Sequence, residues 1–352
     1  MAEDMSLQFD FIHRRSFDAL HLKQDQAMLL HQPMPQMPIM ISPYRLRANR
    51  FVNAISNRMS FDGVLLEING GYGCIHPWPE LGDPPLDRCL TDLAGERRWA
   101  IVRRALRCIE FDRAAREHDE SLFEEMEIPR SHATLSDASL ESVSAAVEAG
   151  FDAIKIKCGR DLKKEAEFLT QAAKEFSNLS WRLDFNESLD AEHVAYFLDA
   201  IPSEVRTKID FLEDPCPYAD GPWRSIYQKY GIRLAVDHEA APGRDSAHIL
   251  VVKPAVDEPM LLAEAADRAQ QRLVVTSYMD HPLGQAFAAW EAARIALEFP
   301  HLLGTCGLQT HTIFKPDAFT EALGPWSPNF QVPAGTGLGF DDQLHALPWT
   351  PL

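Results

Sequence analysis

The sequence predicts an α/β protein: a (β/α)8-type barrel behind a smaller N-terminal α+β domain, with a C-terminal tail that returns to that front domain. Three observations carry this reading. From Ser131 onward, short apolar or β-branched runs alternate regularly with helical stretches. No glycine-rich dinucleotide fingerprint follows the first of those runs, which counts against an open doubly wound sheet. The chain before Ser131 has a different, proline-broken texture. At 352 residues the chain also exceeds the usual size of a single compact core. The expected parts are residues 1–130, 131–313 and 314–352.

In the front part, HQPMPQMPIMISPYR carries four prolines that break any long helix. A strand-like run, GVLLEINGGYGC, leads into the Pro-rich loop IHPWPELGDPP, expected to be exposed and aromatic-bearing. From Leu86 an amphipathic helical pattern runs through RRWAIVRRALRCIEFDRAAR. The barrel runs are HATL, DAIKIK, WRLDF, IDFLED, RLAVD, ILVVKP, RLVVTS and the weaker LGTCGLQTH. Candidate helices between them include LESVSAAVEAG, LKKEAEFLTQAAKEF, AEHVAYFLDAI, PMLLAEAADRAQ and LGQAFAAWEAARIAL. The tail after Phe314 is rich in Pro and Gly.

The formal charge of -18 argues against a nucleic-acid partner, because phosphate binding needs concentrated Lys and Arg. An anionic substrate then requires a local positive centre. Six scattered cysteines without C-x-x-C spacing fit a reducing compartment. The acidic, polar N-terminus and the lack of a long apolar stretch predict a cytoplasmic protein with no membrane partner.

Chemistry in such a barrel gathers where strands end. The second run carries Lys155 and Lys157, two residues apart and so on one face. The third ends in Asp184, the fourth in Glu213, the fifth in Asp237 and the sixth in Lys253. Three carboxylates on adjacent strands form an oxygen-only donor set suited to Mg²⁺, with lysines on opposite sides of it. This is a layout for enolisation: a cation stabilises the charge that develops when a C–H beside a carboxylate is deprotonated, and a desolvated Lys takes the proton. A single Asp at a strand end is more often a turn former or a cap, so the argument rests on the joint occurrence. Two lysines on an inward strand face are harder to explain structurally, since an unpaired buried ammonium is costly.

In this order, KIK at 155–157, LDFN at 183–186, FLEDP at 211–215 and VVKP at 251–254 resemble the K-x-K, D-x-N, E-[DE]-P and opposing-lysine motifs of the muconate-lactonising branch of the enolase superfamily. The resemblance spans nearly the whole chain, including a front capping domain whose mobile loop would be GYGCIHPWPELGDPP. Arg182, two residues before Asp184, and a last-strand region GTCGLQTHT without acidic residues are most similar to the o-succinylbenzoate synthase family. The resemblance implies metal ligation by Asp184, Glu213 and Asp237, with Mg²⁺ as the cofactor and Mn²⁺ as a substitute. It implies proton abstraction by Lys157, charge stabilisation by Lys253, assistance from Lys155, and an orienting part for Arg182. The implied substrate is a small carboxylate, 2-succinyl-6-hydroxy-2,4-cyclohexadiene-1-carboxylate, dehydrated to o-succinylbenzoate on the way to menaquinone. The family usually has D-E-S after the fifth strand; here Asp237-His238-Glu239 leaves Glu239 as a competitor for the third ligand.

Asn186 is a candidate beside the site, and Ser277 either binds the substrate's succinyl carboxylate or caps the next helix. His76 and Trp78 either close over substrate or simply pack. His281, His301 and His311 lack metal-ligand spacing, and Cys158 and Cys216 are read as packing residues. Competing activities on the same template are N-succinylamino acid racemisation and muconate cycloisomerisation. A non-catalytic barrel that binds a small acid is the remaining reading outside catalysis. Nothing in the motifs sets an oligomeric state.

Overall fold

In the front sheet, the computed structural model pairs β1 (Met40–Arg47), β2 (Ser60–Ile68) and β3 (Gly71–Ile75) as antiparallel neighbours. The structure describes residues 38–49, 58–135, 138–238 and 240–352. The turn Asn69-Gly70, with both residues at positive φ, joins β2 to β3. Pro43 is tolerated because β1 has a second neighbour only at Met40 and Ile41, so most of the strand is an edge.

The amphipathic pattern from Leu86 resolves into two helices, Leu86–Ala94 and Ala100–Arg116, rather than one. Gly95 ends the first. The Asp92 carboxylate then accepts the backbone N–H groups of Arg98 and Trp99 at 3.0 and 2.9 Å, which turns the chain into the second. The helix Ala100–Arg116 lies so close to β3 that a Cβ on Gly71 would stand 2.4 Å from the Ile109 carbonyl oxygen. Glycine is therefore required there by backbone approach.

The second sheet is parallel, in the order β4 (Ala133–Leu135), β5 (Ala153–Lys157), β6 (Ser180–Asp184), β7 (Ile209–Glu213), β8 (Arg233–Val236), β9 (Ile249–Val252) and β10 (Arg272–Val275). Of the eight expected runs, seven are regular strands. The eighth place is taken by an extended segment that touches β10 through Leu303 and Gly307, and the chain before β4 through Cys306 and Ser131, as isolated parallel bridges. Its irregularity has a steric cause. A Cβ on Gly307 would lie 2.8 Å from both His132 and Thr276 side chains, so the chain can pass between its neighbours only without a side chain.

Strand alternation sorts the side chains. Ile154, Ile156, Trp181, Leu183, Leu212, Leu234, Leu250 and Val252 face the surrounding helices in one large core. Phe211, Ala235, Ile249, Val251 and Val274 form a separate small cluster from the other strand face. The tail returns as expected. Leu338 N–H donates to Asp112 at 2.6 Å, and β11 (Thr350–Pro351) pairs with β1. Among the described residues no helix is long and apolar enough to cross a membrane.

Candidate active site

Parallel register sets Lys157, Asp184 and Glu213 side by side at the C-terminal ends of β5, β6 and β7. Lys155, one pleat earlier on the same face, reaches up to them. Its Nζ lies 2.5 Å from Glu213 Oε1 and 3.1 Å from Asp184 Oδ2, so the two acids share one cationic partner. Lys155, Asp184 and Glu213 are all buried. Across the mouth, Lys253 Nζ lies 2.5 Å from Asp237 Oδ2. Among the described residues, no three acidic, His or Cys side chains stand at metal-ligating distance.

The lysines differ in their electrostatics. Burial disfavours the Lys155 ammonium, but Asp184, Glu213 and Asp237 outweigh it and raise its pKa. The same contest raises Lys253, where Asp237 prevails over burial. Lys157 goes the other way. Burial lowers its pKa, Lys155 and Lys253 add like-charge repulsion, and attraction to Asp184 and Glu213 does not compensate. Among the described residues Lys157 forms no ion pair. Burial and the charges of Asp184 and Asp237 push Glu213 up to about 7, against the pull of Lys155.

Asp214 holds the floor of the loop after β8: its carboxylate accepts the N–H groups of Asp237 and His238 at 3.0 and 2.9 Å. Asp237 is thereby fixed, yet its Oδ1 is buried with no hydrogen-bond partner. A buried carboxylate oxygen without a partner, on an acid near enough to Glu213 to raise its pKa, is the kind of donor a hard cation satisfies. The residues present therefore fit a divalent metal. Glu239 lies outside the described residues.

The profile described as "O-succinylbenzoate synthase, N-terminal domain" matches residues 39–115, and the one described as "Enolase C-terminal domain-like" matches residues 138–343. The chain belongs to the enolase superfamily. Within its mandelate racemase/muconate-lactonising branch, the chain is 30% identical over 326 residues to an o-succinylbenzoate synthase from Bdellovibrio bacteriovorus, covering 89% of this chain and 98% of that one. In solved structures it is similar to a muconate lactonizing enzyme from Pseudomonas fluorescens complexed with muconolactone (14% identity, TM-score 0.71, 86% of this chain and 95% of that one). It is also similar to a dipeptide epimerase from Methylococcus capsulatus complexed with Mg and a dipeptide (20% identity, TM-score 0.67, 86% and 99%).

Among the described residues no hydrogen bond or ion pair joins Arg182 to Lys157. Arg182 lies level with Lys155, stacks on Phe211 at 4.8 Å, and donates to Asp210 (3.0 Å), the Thr305 carbonyl (2.9 Å) and His132 Nδ1 (2.7 Å). A guanidinium only donates, so His132 accepts there, and burial beside Arg182 keeps that imidazole neutral. Asn186, at positive φ, donates its backbone N–H to Asp184 Oδ1 at 3.2 Å. Ser277 Oγ is buried against Thr310 Oγ1 at 2.6 Å. Burial raises the Cys158 and Cys216 thiols, the latter to about 11, in keeping with packing residues.

The loop expected to be exposed is exposed only in its second part, at Pro79, Gly82 and Pro85, while its aromatic-bearing first part is buried. His76 and Trp78 are buried, Trp78 rests on Phe61 at 4.5 Å, and its Nε1 donates to the Tyr278 carbonyl at 3.0 Å. Asp83 accepts both Trp78 N–H (2.8 Å) and the Tyr278 hydroxyl (2.9 Å), fastening the front segment to the chain after β10. Apolar surface on Trp78 and a satisfied indole N–H make burial the lower-energy state. His301 pairs with Asp267 at the surface, and His311 reaches the Gly324 carbonyl.

His281 caps the helix Pro282–Glu298 by accepting Leu283 N–H, and burial followed by the charge of His76 lowers its pKa to about 3. This folded value lies below the unfolded one near 6.5, so the stability it contributes is complete above pH 6.5 and lost as pH falls toward 3. His281→Asn keeps an acceptor at the cap but cannot titrate. Denaturant unfolding from pH 7 to 4 is expected to show the variant losing a few kcal/mol less than the parent chain, at about 1.4 kcal/mol per pKa unit.

Proposed function

We propose that this enolase-superfamily chain catalyses the syn dehydration of 2-succinyl-6-hydroxy-2,4-cyclohexadiene-1-carboxylate to o-succinylbenzoate, a step toward menaquinone. The observation that carries the reading is Lys157: an ammonium site disfavoured by burial and by two neighbouring lysines, with no ion-pair partner among the described residues, facing a mouth lined with carboxylates. The identity to the Bdellovibrio o-succinylbenzoate synthase along nearly its whole length supports the choice of substrate.

Asp184, Glu213 and Asp237 would hold the metal, Mg²⁺ with Mn²⁺ as a substitute. That cation supplies positive charge that acidifies the C–H beside a substrate carboxylate. Lys157, whose pKa burial lowers, takes the proton as its free amine. Now an ammonium, it lies on the face from which it can pass that proton to the departing hydroxyl, which gives syn elimination with one residue serving as base and then acid. Lys253, kept charged by Asp237, faces the developing negative charge from the other side. Lys155 holds Asp184 and Glu213 in register and, as a fixed charge, helps lower the pKa of Lys157. Asn186 and Ser277 are assigned to the substrate pocket.

Racemisation of N-succinylamino acids needs a base on each face, and Lys157 and Lys253 supply the residues for it. The pairing of Lys253 with Asp237, set against a Lys157 without an ion pair among the described residues, favours the one-base dehydration. Purified protein is expected to form o-succinylbenzoate with Mg²⁺ and to stop when a chelator is added. Faster exchange of the α-proton of N-succinylamino acids with deuterated solvent than dehydration of the cyclohexadiene would overturn the assignment in favour of racemisation.

A further inference from the structure

Lys253 opens the turn that follows β9, and that turn is gripped by a residue of the front helix. The Lys253 N–H donates to Asp257 Oδ2 at 2.6 Å, and its carbonyl accepts the N–H groups of Val256 and Asp257 at 2.9 and 2.8 Å, so residues 253–257 close into a tight turn. Arg104, from the front helix Ala100–Arg116, grips that turn at both ends. Its Nε donates to the carbonyl of Pro254 at 3.0 Å and its Nη1 to Glu258 at 2.8 Å. The third arm, Nη2, donates to Glu291 at 2.8 Å on the helix Pro282–Glu298. Arg104 is 3% exposed and Glu291 1% exposed.

We propose that Arg104 is a positioning residue for Lys253: the front domain sets the placement of the ammonium opposite Lys157 by clamping the turn that follows it. This rests on the part given to Lys253 above. The physical case has three steps. A lysine side chain has a long, freely rotating stem, so the direction of its Cα–Cβ bond decides which region its ammonium can reach. That direction is set by the turn, and the turn's own hydrogen bonds fix its shape but not its orientation relative to the barrel mouth. Orientation comes from a third body, and a planar guanidinium with three differently aimed donors is suited to fix it, where a Lys would supply only a point charge. A buried Arg on the helix face that also carries Ile101, Ala105 and Cys108 is otherwise an expensive choice for packing.

The test is a double-mutant cycle. Arg104→Gln is expected to lower kcat for the dehydration by about 10- to 100-fold with KM changed less than about threefold, the usual size of a small misplacement. In a Lys253→Ala background the same substitution should cost less than about threefold, because the residue it acts through is gone. Deuterium uptake by residues 253–258 should quicken in Arg104→Gln, with residues 209–213 unchanged. Equal losses in both backgrounds, a loss confined to KM, or unaltered uptake would each overturn the proposal. If the parent chain fails to dehydrate the cyclohexadiene, the proposed function falls, and the clamp is decided by deuterium uptake alone. Arg104→Lys, which keeps the buried charge, and Glu258→Gln, at the half-exposed end of the network, serve the same test should Arg104→Gln not fold.

Discussion

Lys157→Ala is expected to lower kcat for the dehydration by at least about 10²- to 10⁴-fold, the usual contribution of a positioned general base. The loss should exceed that range if the same residue also returns the proton to the leaving group. Stability should not fall with it. Lys157 has no ion pair to break among the described residues, and its ammonium is opposed by burial, by Lys155 and by Lys253. Removing it relieves repulsion in the metal-free protein, so thermal melting is expected at the parent temperature or slightly above. Lys157→Arg should not rescue activity, since a guanidinium keeps its proton at any working pH. Steady-state rates together with thermal melts check both halves. A variant that is inactive because it is unfolded would not count in favour of the account.

The second large effect is on stability. Lys155 is the buried counter-charge to Asp184 and Glu213, at 3.1 and 2.5 Å. Lys155→Met leaves two buried carboxylates facing each other. Breaking a buried pair from one side costs about 3–5 kcal/mol, because the remaining charge is left without compensation. The loss should be greatest in chelator and should shrink when Mg²⁺ is added, since a cation held by the same acids replaces the missing ammonium. Urea unfolding of both chains, with and without Mg²⁺, measures this directly. An equal loss in the two conditions would mean that the acids do not hold the metal.

Much of this arrangement is legible in the sequence. Strand alternation alone put Lys155 and Lys157 on one face, and the order of runs brought Asp184 and Glu213 beside them. Those readings depended on periodicity, which a sequence displays directly. What was missed depended on contacts between distant segments. Arg104 reads as one of many arginines on an amphipathic helix; only its position among Ile101, Ala105 and Cys108 signals that it is buried. Trp78 looked like an exposed loop aromatic because nothing local shows that Tyr278, 200 residues on, accepts its indole N–H. The eighth barrel position reads weakly because Gly304 and Gly307 interrupt it, and the structure gives Gly307 steric work: a Cβ there would collide with His132 and Thr276. Arg182 enters the sequence reading only through its place two residues before Asp184. Its partners His132, Asp210 and Thr305 come from three other segments of the barrel, so its surroundings had no sequence signature.

The central claim is that Asp184, Glu213 and Asp237 together hold one divalent cation in front of Lys157. Titration of the metal-free chain with Mn²⁺, followed by electron paramagnetic resonance of the free ion, tests it most directly. The account predicts one site per chain, displaced by Mg²⁺ and weakened by at least about tenfold in each of Asp184→Asn, Glu213→Gln and Asp237→Asn, while Lys157→Ala retains it. Binding that survives unchanged in Glu213→Gln, or a chain that binds no Mn²⁺ at all, would contradict it.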